Sequence, residues 1–164
     1  MEKHPLRRRE RQISEAECLA LLESCEFGVL GTADELGNPY APPLSYVWLD
    51  GRLYFHSAVQ GHKISNIRAN PRVTFTVVGK TRPVYSKNFT TYYESVVLFG
   101  KAREVTDPEE KYAALHGLAA KYLPEHLDKA DADIRNSFAR TAVYAVEPEL
   151  VSGKAKRPKS DAGS

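Results

Sequence analysis

The sequence predicts a mainly β protein, a six-stranded antiparallel barrel with α-helices packed outside it. Three observations lead there. Six segments carry strand-like runs of Val, Leu, Phe, Tyr and Thr, and most are joined by short turns. Asp50-Gly51 is a strong two-residue hairpin signal. The helical stretches each show one apolar stripe, as helices lying on a sheet require.

In chain order, "ISEAECLALLESC" (13–25) opens with Ser14 and Glu17 in capping-box spacing, and Leu19, Leu22 and Cys25 form its apolar stripe. "FGVLGTA" (27–33) is the first strand and "DELGN" its turn. The second, "PYAPPLSYVWL" (39–49), contains Pro42 and Pro43, which cannot donate to a ladder and so mark an edge, a bulge or a close approach. Asp50-Gly51 folds it back onto "RLYFHS", where Leu53, Phe55 and Ser57 face one way and Arg52, Tyr54 and His56 the other. A short helix from His62 to Ala69 shows Ile64 and Ile67 on one face and stops before Asn70-Pro71. "RVTFTVVG" (72–79) is the fourth strand, residues 80–91 a polar loop, and "YYESVVLFGKAREV" (92–105) the fifth strand. Asp107 caps the next helix with Pro108 at its first position, and Tyr112, Leu115, Leu118 and Tyr122 make its stripe. A helix around 131–139 and a sixth strand, "RTAVYAV", complete the domain.

This gives a basic arm at 1–13, one domain over 14–150, and a polar basic tail at 151–164 without fixed structure. In the fifth strand Val96 to Phe99 are all apolar, so both faces there need cover, and a second subunit is a reasonable source of it. The 164 residues, 42% hydrophobic and 27% charged, are ordinary for one soluble domain. No apolar run approaches the ~20 residues of a membrane span, and the N-terminus lacks a signal-peptide core, so a cytoplasmic location is expected. The two cysteines, Cys18 and Cys25, lie about 10 Å apart along a helix axis, too far for a disulfide, and read as buried thiols. Net charge is only +2, with the basic residues concentrated in Arg7, Arg8, Arg9 and Arg11 and in Lys154, Lys156, Arg157 and Lys159. Such ends can grip nucleic acid, but charged ends are more often solvated tails, and no nucleic-acid partner is expected.

The chemistry concentrates in "YFHSAVQGHK" (54–63). Ser57 ends a strand, Gly61 permits a tight turn, and His62 and Lys63 open a helix whose free N–H groups favour a phosphate. The Walker spacing is absent, so this is no triphosphate loop. Local chemistry leaves two readings open, an anion site and a plain surface turn. His56 could stack on a flat ligand, donate a hydrogen bond or move a proton, or simply be a structural histidine. The remaining histidines form no zinc spacing with the cysteines, and no metal is expected.

The long string "GVLGTADELGNPYAPPLSYVWLDGRLYFHSAVQGHKISNIRANPRVTFTVV", with "YYESVVLFGKAREV" and the upstream "RRRERQISEAE", resembles the flavin-binding split-barrel superfamily of pyridoxamine-phosphate oxidase. It is most similar to the nitroimidazole-resistance (Nim) reductase branch. The likeness spans about residues 7–150. It implies a split β-barrel homodimer with FMN at the subunit interface. Ala41, Pro42, Pro43, Leu44, Ser45 and Tyr46 match the segment whose backbone runs beside the isoalloxazine ring. His56 and Ser57 match a pair touching the ring side and the phosphate, and His62 and Lys63 the basic pair on the phosphate. Glu94 and Ser95 match a polar pair near the flavin, reached from across the dimer. Ala41 and His62 stand where the oxidases have phosphate-binding arginines, and Gly61 where they have a serine. Their C-terminal Trp/Arg substrate segment is missing, since the only tryptophan is Trp48. Oxidation of pyridoxamine phosphate is therefore not expected. The resemblance implies an FMN-dependent oxidoreductase passing electrons to a small acceptor such as a nitro compound, with His56 as the candidate catalytic contact. The alternative is a non-catalytic flavin- or haem-binding carrier or sensor.

Overall fold

The computed structural model describes residues 6–86 and 88–158. The first helix, α1 (Glu15–Ser24), begins at the expected capping box. Ser14 Oγ accepts from the Glu17 N–H at 3.3 Å, and the Glu17 carboxylate accepts from the Ser14 N–H at 2.9 Å. Such a box stabilises a helix by about 1 kcal/mol. Both cysteines are free and buried, as the sequence indicates.

Among the described residues, eight strands form one antiparallel sheet rather than six: β1 (Gly28–Ala33), β2 (Pro39–Tyr40), β3 (Pro43–Leu44), β4 (Val47–Leu49), β5 (Arg52–Ala58), β6 (Arg72–Ser86), β7 (Asn88–Glu104) and β8 (Thr141–Lys156). The order is β2-β1-β6-β7-β8-β5-β4, with β3 also paired to β1. The count rises because the expected strand at 39–49 is broken into three. Pairing with β1 is interrupted between Tyr40 and Pro43 and ends after Leu44, and the chain then crosses through Ser45 and Tyr46 to pair with β5 at the other edge of the sheet. That crossing closes the barrel and leaves it split. At the β4–β5 turn Asp50 and Gly51 both take positive φ (47° and 77°), as the hairpin signal requires.

Two further expectations are corrected. Residues 80–91 are not a loop: β6 and β7 continue to Ser86 and Asn88 as a long hairpin arm, with a register shift between Val78 and Thr81. The polar tail does not begin at 151, because β8 runs to Lys156 and pairs with β7 up to Tyr93. Lys159 and the residues after it lie outside the described residues.

Among the described residues, three helices lie against the sheet and a fourth packs on the third. After α1, α2 (His62–Ala69) follows β5, and α3 (Pro108–Tyr122) starts at its Asp107 cap, whose carboxylate accepts from the Glu110 N–H at 2.8 Å. The helix expected at 131–139 starts earlier, as α4 (Leu127–Ser137). The main core joins Leu22 of α1 to Leu30, Tyr46, Phe55, Phe75, Val96, Leu98 and Tyr144 inside the barrel. A second core under α3 holds Val47, Tyr54, Ala114, Leu118 and Val143. The outer side of β5 is therefore covered at Tyr54 by α3 and open at His56.

Candidate functional site

The site forms where β5 ends and α2 begins. Leu53, Phe55 and Ser57 point into the barrel, as alternation predicts, and Ser57 is only 7% exposed. Its Oγ is buried and, among the described residues, has no hydrogen-bond partner. An unpaired buried hydroxyl costs about 1–3 kcal/mol, so a protein rarely leaves one without cause. The chain then turns at Gly61, whose φ of +146° side-chain-bearing residues avoid. The Ile64 and Ser65 N–H groups donate to Gly61 O at 3.0 Å each, and no side chain caps the helix. The positive end of the α2 dipole thus has no side-chain cap, and its N-cap residue, Gly61, lies four residues after Ser57.

Lys63 is half-buried in the first turn of α2. His62 is exposed and stacks on the Tyr40 ring, with centroids 4.1 Å apart. His56 is open to solvent on one side, yet partial desolvation of its ring, and then the charge of Lys63, hold its pKa below the usual histidine value. The overall exposure makes that desolvation partial. Both causes favour the neutral imidazole, with one nitrogen free to donate and one to accept.

A buried polar chain fixes this corner. Asn66 Nδ2 donates to Thr32 Oγ1 at 3.1 Å, and that hydroxyl donates to Tyr40 O at 3.0 Å. The chain ties α2 to β1 and β2 and keeps Tyr40 against His62. Sequence reasoning missed Thr32, Tyr40 and Asn66. One signal was available: Asn66 lies between Ile64 and Ile67 on the buried side of a short helix, where an amide needs a partner.

Pro42 and Pro43 sit at the rim of the split. Pro42 O accepts the Leu30 N–H at 3.0 Å, and Pro43 and Leu44 pair with Val29 and Gly28. Pro43 and Ser45 are exposed, whereas Tyr46 is fully buried. The Tyr46 hydroxyl donates to Leu22 O at 2.6 Å, and the Tyr122 hydroxyl accepts its N–H at 3.0 Å. Lys121 Nζ lies 3.8 Å from the Tyr46 ring centroid, buried and, among the described residues, without a hydrogen-bond partner. Burial pushes the pKa of this amine down, and the ring face supplies part of what a carboxylate would. Of the segment matched to the flavin ring, Ala41, Pro43 and Ser45 present open side chains. Tyr46 belongs to the core.

Glu94 and Ser95 are not brought to this corner within one chain. Ser57 pairs with Ala142 on β8 and Ser95 with Lys154, twelve residues on, or ~40 Å of strand contour. The two also face opposite ways. Glu94 packs against Gly79 and Leu21 and pairs with Arg157 at 3.6 Å, while Ser95 faces out of the barrel.

Comparison with known proteins bears on this geometry. The family model described as pyridoxamine 5'-phosphate oxidase matches residues 14–155. Among curated proteins, no relative matches. The chain is similar to a solved structure described as a 5-nitroimidazole antibiotic resistance protein from Bacteroides thetaiotaomicron, with 25% identity, TM-score 0.75, and coverage of 88% of this chain and 86% of that one. It is also similar to an FAD-binding protein from Mesorhizobium loti, with 27% identity, TM-score 0.61, and coverage of 90% and 98%. The flavocytochrome Anf3 from Azotobacter vinelandii shares the fold at 19% identity and TM-score 0.82, over 94% of this chain and 73% of that one.

Proposed function

The chain belongs to the pyridoxamine 5'-phosphate oxidase family, and from that premise we propose that it is an FMN-binding oxidoreductase that reduces small-molecule acceptors, nitro compounds among them. The observation that carries this is the buried Ser57 hydroxyl, unpartnered among the described residues, on the strand that leads into the uncapped start of α2. A terminal phosphate would accept from Ser57 and from the first α2 N–H groups, and Lys63 would add a point charge. Relatives described as FAD-binding and as nitroimidazole-resistance proteins support a flavin and a nitro acceptor respectively.

Bound flavin supplies reversible electron transfer; the chain supplies position and field. Ser57 and Lys63 would hold the phosphate, and Pro42, Pro43 and Ser45 would border the ring. His56, kept neutral, would donate a hydrogen bond to ring or acceptor without adding a charge. His62, stacked on Tyr40, would complete the phosphate end.

The working unit proposed is a homodimer. From Thr74 and Phe99 out to Tyr85 and Phe89, the outward positions of β6 and β7 on either side of the 79–80 bulge carry no charged side chain. A solvated sheet face is normally polar, so this one calls for a partner. A second copy would also bring Ser95 towards the flavin, which no single chain does. Among the described residues, no helix is long and apolar enough to cross a membrane.

Titration with FMN, FAD and riboflavin, light scattering, and turnover of a nitroimidazole with a chemical reductant test the proposal. Preference for FMN, twice the chain mass and turnover are expected. Equal affinity for riboflavin would remove the phosphate site. Tight flavin binding without turnover would favour a carrier.

A further inference from the structure

The two residues that cross the split, Ser45 and Tyr46, belong to no strand. Pairing with β1 ends at Leu44, and pairing with β5 starts only at Val47, opposite Tyr54. In a two-residue hairpin the residues flanking the turn exchange both hydrogen bonds, and every second pair beyond them does the same. From the Asp50-Gly51 turn these pairs are Leu49 with Arg52 and Val47 with Tyr54, and the next would be Ser45 with His56. The ladder stops before it. By the same alternation the N–H and C=O of Tyr46 point off the edge of the sheet, so the strand beside it cannot hold them.

One side chain holds them instead. Tyr122 is the last residue of α3, followed by the Leu123 cap and Pro124. Its hydroxyl accepts the Tyr46 N–H at 3.0 Å and shares its own proton between the carbonyls of Tyr46, at 3.0 Å, and Glu26. A single hydroxyl thus ties both main-chain groups of Tyr46 to the end of α3 and to the link between α1 and β1. The Tyr46 side chain is fixed separately, by its own hydrogen bond to Leu22 O and by Lys121 over its ring. The Tyr122 ring packs against the second core. Packing and aiming therefore fall to different parts of one residue, the ring and the hydroxyl.

We propose that Tyr122 is a positioning residue for the flavin ring, its hydroxyl fixing the Ser45–Tyr46 backbone that borders the ring. This rests on the flavin reading above. Tyr122 acts through Tyr46, and the groups it aims are the N–H and C=O of Ser45, which the stopped ladder leaves without a strand partner. The two ends of the site then depend on different helices: α2 serves the phosphate and α3 the ring.

Amide exchange followed by NMR, and fluorescence titration with FMN and riboflavin, test this on the full chain. In the wild-type apoprotein the Tyr46 amide should exchange slowly although no strand pairs with it. The exposed Ser45 amide should exchange fast until flavin slows it. Tyr122→Phe keeps the ring in the core and removes only the hydroxyl. It should speed exchange at Tyr46 at least tenfold, leave β6 unchanged, and weaken FMN and riboflavin by the same factor, roughly tenfold. The visible circular dichroism of its bound flavin should change as well, which a general loss of stability would not cause. Lys63→Ala, by contrast, should weaken FMN alone. Should Tyr122→Phe not fold, the wild-type exchange pattern still decides, since a Tyr46 amide as fast as that of Ser45 overturns the proposal. Unchanged flavin affinities in Tyr122→Phe, or a loss confined to FMN, overturn it too. Absence of flavin binding by wild type sinks the flavin reading and this inference with it; wild-type binding that Tyr122→Phe leaves untouched sinks the positioning role alone.

Discussion

Tyr54 and Ser57 lie three residues apart on β5, both buried and both carrying a hydroxyl, and the fold treats them in opposite ways. The Tyr54 hydroxyl donates to Glu110 at 2.9 Å. Arg103 clamps the same carboxylate with two bonds, at 2.7 and 3.1 Å, and donates a third to Glu147 at 2.9 Å. Burial and the carboxylate contact raise the Tyr54 pKa, while the Arg103 fork holds Glu110 below the usual carboxylate range. Every group there has its partner inside the chain, and the result is a strap that holds α3 on the sheet. Ser57 has none. Where a buried polar group serves structure, this chain provides the partner; where it provides none beside a helix start, the partner is expected from outside.

The largest effect that tests this contrast is on the ligand side. Lys63→Ala should weaken FMN by about 1.5–3 kcal/mol, roughly 10- to 150-fold, and leave riboflavin binding and thermal stability nearly unchanged. Fluorescence titration of both flavins, with a thermal melt, separates the two. Unchanged FMN affinity would make the corner an ordinary turn. On the structural side, Glu110→Gln should cost about 1–2 kcal/mol of stability in urea unfolding, reduced from a fully buried pair because Arg103 is partly exposed. Its FMN affinity should match wild type; a parallel loss would mean that the strap and the site are one unit.

A smaller effect carries the sharper sign. Ser57→Ala removes an unpaired hydroxyl, so the apoprotein should be as stable as wild type or up to about 1 kcal/mol more stable. FMN binding should fall by about 0.5–1.5 kcal/mol in the same variant. Opposite signs from one substitution distinguish a ligand contact from a packing residue. Loss of apoprotein stability would show that Ser57 has an internal role.

How much of this was legible in the sequence depended on how local the cause is. The Ser14–Glu17 box, the Asp50-Gly51 turn and the Asp107 cap each act within a few residues, and each forms as read. The hairpin arm at 80–91 read as a loop because most of it has no core beneath it, so no apolar alternation survives around Arg82 and Pro83. The end of β8 was hidden for another reason. Its inward residues are small, since a Cβ on Gly153 would come 2.4 Å from Cys18 Sγ and 2.6 Å from Ile13. The Ser57 corner was visible as a pattern, but its unpaired hydroxyl, and the Asn66–Thr32–Tyr40 chain beneath it, are long-range facts. So is the buried amine of Lys121, which on α3 looks like any solvated lysine.

The smallest expected effect is in pH dependence, and it probes whether an anion occupies the open corner. The His56 pKa lies below the usual histidine value near 6.5, because of desolvation first and Lys63 second. The unfolded chain therefore takes up this proton at higher pH than the folded chain does. Stability from this group is present above about 6.5 and is lost as pH falls through the lower folded value. His56→Asn should remove that part of the slope. FMN adds a second test, since a phosphate on Lys63 would offset its charge and let the His56 pKa rise. Below neutral pH, FMN binding should then take up a fraction of a proton, which calorimetry in buffers of different ionisation heat detects. The imidazole resonance of His56, assigned from the Asn variant, should titrate at higher pH with FMN than without it. If the two titrations coincide, the phosphate does not sit beside Lys63, and Ser57 is left buried without a partner.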